Sequence, residues 1–282
     1  MWRMLTNIAK THQRKLLVTL GLVGAENLLL MIYPVFGGWV INAVIDGNIF
    51  QSLMYGLVVL LMWMIGALRR AVDTRTFTKI YTQIAVPVVL EQREKQILHS
   101  AITARVALSR EFVNFFEEHL PIAATSIASI LGACVMLLVL EFWAGVLALI
   151  ILALFSWLLP SFVAMSESLY FRLNNRLEKD NYFIKEGKSN QLWRHYDLMA
   201  RFRILISNRE AIGYLAVGIA MSILFGFAFS WMAIQGNVNA GHIYSVSTYL
   251  WMFAMSLDDV PRLVEQYSNL KDISERVNLV KE

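Results

Sequence analysis

Apolar residues dominate three windows of the chain, 16–68, 111–171 and 210–261, and none of these windows contains a Lys or Arg. Each is long enough for two helical spans of about 20 residues joined by a tight turn. Residues that favour chain reversal stand near the middle of each: Asp46-Gly47-Asn48 in the first, the segment 141–145 with Glu141 and Gly145 in the second, and Gly236-Asn237-Val238-Asn239-Ala240-Gly241 in the third. The pattern predicts an all-α membrane protein with six transmembrane helices in three hairpins, at about 17–45, 52–72, 120–140, 144–171, 212–234 and 243–264.

Between the windows the period stays helical while the polarity changes. In 69–110, Ile80, Ile84, Val88 and Ile97 alternate with Lys79, Arg93 and Lys95, which reads as helices continuing into the cytosol. The stretch 172–209 has the same character, and turns are expected near 99–109 and 187–193. At the start, Trp2, Leu5, Ile8, Ala9 and His12 share one helical side against Arg3, Asn7, Lys10 and Arg14. That suits an amphipathic elbow over 1–15 lying on the membrane surface. The chain is read as one domain, 1–282, with cytoplasmic extensions at 69–110 and 172–209.

Composition agrees with the pattern, since 57% of the residues are hydrophobic, 16% are charged and mean hydropathy is +0.53. The placement of charge says more. All 25 Lys and Arg residues fall in the blocks 3–15, 69–110, 172–209 and 262–281. Cationic side chains resist translocation, so both termini and both extensions are expected in the cytoplasm. The pI near 9.2 then reflects topology and anionic lipid at the inner leaflet, without nucleic acid. One cysteine, Cys134, leaves no internal disulfide. Residues 1–15 lack the apolar core and cleavage site of a signal peptide, so the first run is expected to remain as a span.

The arrangement resembles the transmembrane half of ABC exporters. The resemblance rests on the elbow, a first span with Tyr33-Pro34 followed by 38–46, the stretch Ile102-Thr103-Ala104-Arg105-Val106-Ala107-Leu108-Ser109 before span three, Gly241-His242-Ile243-Tyr244 opening span six, and 270–276 closing the chain where an ATPase domain would begin. It implies an ABC-exporter-like fold without a nucleotide-binding domain in this chain, in the bacterial inner (cytoplasmic) membrane. It also implies a homodimer with a central cavity between the copies, because in that fold spans four and five cross to the partner.

Candidate chemistry is sparse. Gly187-Lys188-Ser189 has the ending of a phosphate-cradling loop, but Tyr182 stands where the first glycine belongs and no apolar strand precedes it. The five histidines are scattered without metal-ligand spacing, and no nucleophile–base pair can be assembled, so neither metal, cofactor nor enzymatic activity is expected. Ionisable residues within spans are costly and are functional candidates by default. Glu26, eleven residues past Lys15, counts to about 16 Å along the helix and hence near the bilayer centre. It reads equally as a proton-coupling carboxylate or as one bonded to a neighbouring helix. Asp258 and Asp259 precede Pro261, and Asp258 has Arg262 one turn later as a potential partner. Trp251 and Met255, seven and three residues earlier, share a face with Asp258 and with Tyr33 are the substrate-cavity candidates. Glu141 and Glu167, at the ends of spans, read as carboxylates that water can solvate. Gly218, Ser222, Gly226 and Ser230 recur at four-residue spacing, which permits close helix approach.

Three functions are compatible with these features. The first is a proton-coupled transporter of a peptide-like, cationic or chelate solute that needs no ATPase of its own. The second is a permease subunit recruiting a separate ATPase through the cytoplasmic turns, with Arg105 and Trp193 as contacts. The third is a non-transporting membrane scaffold, for which unpaired intramembrane carboxylates would be a burden.

Overall fold

A computed structural model describes residues 13–94, 117, 120–177, 179–236, 238–261 and 263. The elbow up to residue 12, the turn expected at 99–109 with Arg105, the segment 264–282 and Arg262 lie outside the described residues. Among the described residues seven helices follow one another: α1 (Gln13–Ile45), α2 (Ile49–Glu94), α3 (Leu120–Leu140), α4 (Phe142–Leu177), α5 (Asp180–Glu186), α6 (Ser189–Gln235) and α7 (Ala240–Asp258). No strand occurs among the described residues.

Turn chemistry sets where the long helices reverse. Between α1 and α2, Gly47 takes φ +70°, a left-handed conformation open to glycine, and the Asn48 side chain accepts from the Gln51 N–H at 3.1 Å to cap α2. Gly236 ends α6 in the same conformation, and Asn239 caps α7 by accepting from the His242 N–H at 2.7 Å. Between α3 and α4 the reversal takes one residue, Glu141. A Cβ on Gly145 would strike the Leu138 backbone, so the chain folds back there only because residue 145 has no side chain.

Helix α7 lies at the centre of the bundle and packs against α1, α3 and α6, while α4 packs against α3 and α6 and α1 against α2. Val246, Tyr249, Leu250 and Phe253 of α7 are fully enclosed with Ala133 and Leu137 of α3 and Leu224 of α6. Among the described residues five helical segments are long and apolar enough to cross a membrane: Leu16–Ile45, Ile49–Gln83, Pro121–Leu140, Phe142–Leu177 and Ser189–Gln235. Helix α7 is not among them. Its polar groups are satisfied by protein instead of facing hydrocarbon: the Ser245 hydroxyl donates to the Pro34 carbonyl at 2.9 Å and Tyr249 to the Met31 carbonyl at 2.6 Å.

The contact between α1 and α7 is made by features that the sequence had placed far apart. A Cβ on Gly38 would strike Ser245 Oγ and the Gly241 carbonyl, and one on Gly241 would strike the Gly38 carbonyl. Pro34 lies inside α1 and has no N–H to give, and hydroxyls of α7 donate to the Pro34 and Met31 carbonyls at this level.

Candidate functional site

Glu26 is ion-paired with Arg69 across the α1–α2 contact, and Arg69 Nη1 also reaches Asp73 Oδ2 at 3.0 Å, one turn along α2. The three side chains are 18%, 17% and 5% exposed, respectively. Gly66 makes room for the carboxylate, since a Cβ there would stand 3.2 Å from Glu26 Oε1. Helix α1 has 33 residues, about 50 Å, well beyond a hydrocarbon layer of about 30 Å. Counted from the turn at Asp46, Glu26 lies about 30 Å along the helix. Its partner Arg69 is the first cation of its block. Both counts place Glu26 within the apolar segment Leu16–Ile45, in its half away from the hairpin turn.

At the end of α7, Ser126 of α3 donates to Asp259 Oδ2 at 3.3 Å, so Asp259 is turned toward the bundle, while Asp258 is half-buried. The Arg262 pairing expected for Asp258 lies outside the described residues. Trp251 and Met255 are 58% and 65% exposed, with the Trp251 ring edge-on to Phe225 of α6 at 5.2 Å. They stand opposite the enclosed side of α7. Tyr244, Thr248, Trp251, Met255 and Asp258 share this side of α7, open at Trp251 and Met255 and half-buried at the other three. Tyr33 meets Tyr55 of α2 with ring centroids 5.7 Å apart, and Gly37 of α1 lies against the Tyr244 ring. Tyr33 thus stands near the turn end of that face, while Trp251 has a different ring partner.

The hairpin-turn end holds a polar network that the sequence reading placed in water. Glu141 is 4% exposed. Its Oε1 lies 2.8 Å from His242 Nε2 and its Oε2 accepts from Gln235 Nε2 at 3.1 Å. Beside it, Asn42 Oδ1 accepts from the Gly241 N–H at 2.9 Å, and Asn42 Nδ2 donates to Asn239 Oδ1 at 3.3 Å. The physical reason for the correction is proximity of the three turns: a carboxylate at a one-residue reversal is solvated only if nothing covers it, and here the start of α7 does. The available signal was a lone His in a cation-free window whose turn would meet the turn carrying a lone Glu.

At the opposite end, Gly187 and Lys188 join α5 to α6 with no strand before them, and the Gln191 side chain accepts from the Lys188 N–H at 3.1 Å. This is a helix junction and not a phosphate loop. His195 is buried, stacked on Phe183 at 4.4 Å, with Nε2 3.0 Å from Asp180 Oδ1. These contacts fasten the short α5 to α6. Trp193 and Ile184 project from that tip and are exposed. The small residues of α6 face outward too: nothing lies within 4 Å of a Cβ added at Gly218 or Gly226.

Among known families, the ABC transporter transmembrane region matches residues 5–241. No curated protein matches the chain. Among the described residues, no group of three or more His, Cys, Asp or Glu side chains could hold a metal ion.

Proposed function

The chain belongs to the ABC transporter transmembrane region family, and from that premise we propose that it is a proton-coupled transporter of a peptide-like, cationic or chelate solute that works without ATP. In this reading α7 is the sixth span, both termini are cytoplasmic, the membrane is the bacterial inner membrane, and two copies enclose the solute path. The observation that carries it is the outward face of α7. Trp251 and Met255 leave apolar and aromatic surface open beside the Asp258 carboxyl, while the other side of the helix is closed by the bundle. A cation is attracted by both an aromatic face and a carboxylate. Proton coupling is supported by Glu26, Asp258 and Asp259, since carboxylates within spans are retained where they serve a path.

The test uses purified protein alone in liposomes, with internal pH followed after a proton gradient is imposed and cationic peptides are added. Solute-dependent proton entry is expected, with loss in Glu26→Gln or in Asp258→Asn/Asp259→Asn. Solute movement indifferent to the gradient would sink the coupling.

A second reading is favoured by the tip of α5 and α6, where Ile184 and Trp193 offer apolar surface outside the bundle. There the chain would be a permease subunit docked on a separately encoded ATPase. Affinity capture of wild type against Trp193→Ala decides this. Co-purification of an ATPase that the variant loses would favour the second reading over the first.

A further inference from the structure

The Glu26, Arg69 and Asp73 side chains do not balance. One guanidinium serves two carboxylates, so the group carries one uncompensated negative charge although each side chain is less than one-fifth exposed. A buried charge without a partner is costly. The excess falls at one atom: Asp73 Oδ2 faces Arg69, whereas Asp73 Oδ1 is buried without a hydrogen-bond partner. Facing Asp73 from α1 is Thr19, 3% exposed, whose buried Oγ1 is near enough to bond the Asp73 carboxyl but is not set in a well-formed hydrogen bond.

We propose that this is a one-proton site in which Asp73 Oδ1 takes the proton and donates it to Thr19 Oγ1, leaving Glu26 as the one carboxylate on Arg69. The proton comes from water at the end of the bundle opposite the hairpin turns. Asp73 passes from carboxylate to carboxylic acid, and no other covalent bond changes. The excess charge is then gone, and the Asp73–Thr19 contact, in which an ionised carboxylate can only accept, runs from Asp73 to Thr19. The charged groups acting on Asp73 among the described residues are Arg69 of its own helix and Glu26 of α1. One turn further, Phe77 and Ile80 are buried with Leu16 packed on them, so the site is bordered by apolar side chains on that side.

A metal cation fits less well than a proton. It would need several oxygen ligands, and it would sit beside the guanidinium that already occupies both carboxylates. Protonation also alters the α1–α2 contact, because the Arg69–Asp73 bond ceases to be a pairing of opposite charges and becomes a weaker one. The site therefore ties proton uptake to the packing of the first hairpin.

This deepens the proton-coupled reading and rests on it for its use in transport, while protonation is measured apart from transport. Infrared difference spectra of the full chain in liposomes would be recorded as pH is lowered from mildly alkaline to mildly acidic. A protonated-carboxyl band is expected in wild type, lost in Asp73→Asn, shifted in frequency in Thr19→Val, and displaced to more acidic pH in Glu26→Gln, where Arg69 is left to Asp73 alone. A band that persists undiminished in Asp73→Asn, or none in wild type, would overturn the proposal. Where Asp73→Asn fails to fold, Thr19→Val decides, and an unshifted band there overturns it. Proton flux in the same liposomes is read separately: a band without flux removes the transport reading and leaves the site.

Discussion

Glu141 carries the α3–α4 reversal on one residue, and two donors from the α6–α7 hairpin close on its carboxylate. Replacing it with Leu removes both bonds, while the exposed Gln235 and half-buried His242 can turn to water. The expected cost is about 1–2 kcal/mol, the net worth of the two hydrogen bonds. Thermal unfolding in detergent reads it, and a midpoint equal to wild type would remove the network from the stability of the fold. A double-mutant cycle with His242→Ala separates the pair from the rest, since contacting residues couple where distant ones add. Glu141 was illegible in the sequence for a reason of distance: its partners lie about a hundred positions away, and a turn residue by itself looks wet. The face of Trp251, Met255 and Asp258 was legible because helical spacing alone brings those residues to one side. Arg69 was visible as a cation, but its pairing with Glu26 depends on the register of the first hairpin, which spacing does not supply.

The α1–α7 crossing depends on two helices approaching at Gly38 and Gly241, where neither tolerates a Cβ without displacing the other's backbone. Gly241→Ala is expected to destabilise by about 1–3 kcal/mol, as overpacking does. Tyr249→Phe, which removes the bond to the Met31 carbonyl and keeps the ring, should cost about 1 kcal/mol. Equal stability of Gly241→Ala and wild type would mean that the helices can part without loss. Element existence was well marked in the sequence, because cation-free windows bound the hairpins and Gly–Asn turns locate two reversals, with the segment 141–145 locating the third. The second span was read at 52–72 with helix continuing into 69–110, and α2 runs unbroken from Ile49 to Glu94, since no turn chemistry interrupts it where the polarity changes. The short α5 was missed, because a seven-residue helix lacks the length to display a period.

For the molecule as a whole, topology and assembly can be tested with the same cysteine chemistry. Cys134 is buried, so Cys134→Ala gives a quiet background. Single cysteines at Asn48 and at Gly236 should be labelled from outside intact cells, and one at Lys188 only after permeabilisation. The reverse pattern would invert the orientation. Assembly is tested at the open α6 stripe. Since none of the described residues contacts a Cβ at Gly218 or Gly226, Gly226→Leu should leave the fold of one copy intact while reducing cross-linked dimer. Unchanged cross-linking would take this face out of the interface.

The polar character of α7 also bears on how the protein is made. A segment carrying His242, Tyr244, Ser245 and Thr248 is a poor client for a translocon that partitions each helix by its apolar content. It should enter the bilayer as a passenger of α6, to which Gly236 and Asn239 join it by a tight reversal, and find its hydroxyl partners on α1 only after α1 has waited in the membrane. Fused alone to a topology reporter, α7 is expected to insert poorly, and with α6 ahead of it efficiently. Assembly of this bundle would then finish from the C-terminal hairpin inward, with its central helix the last to arrive.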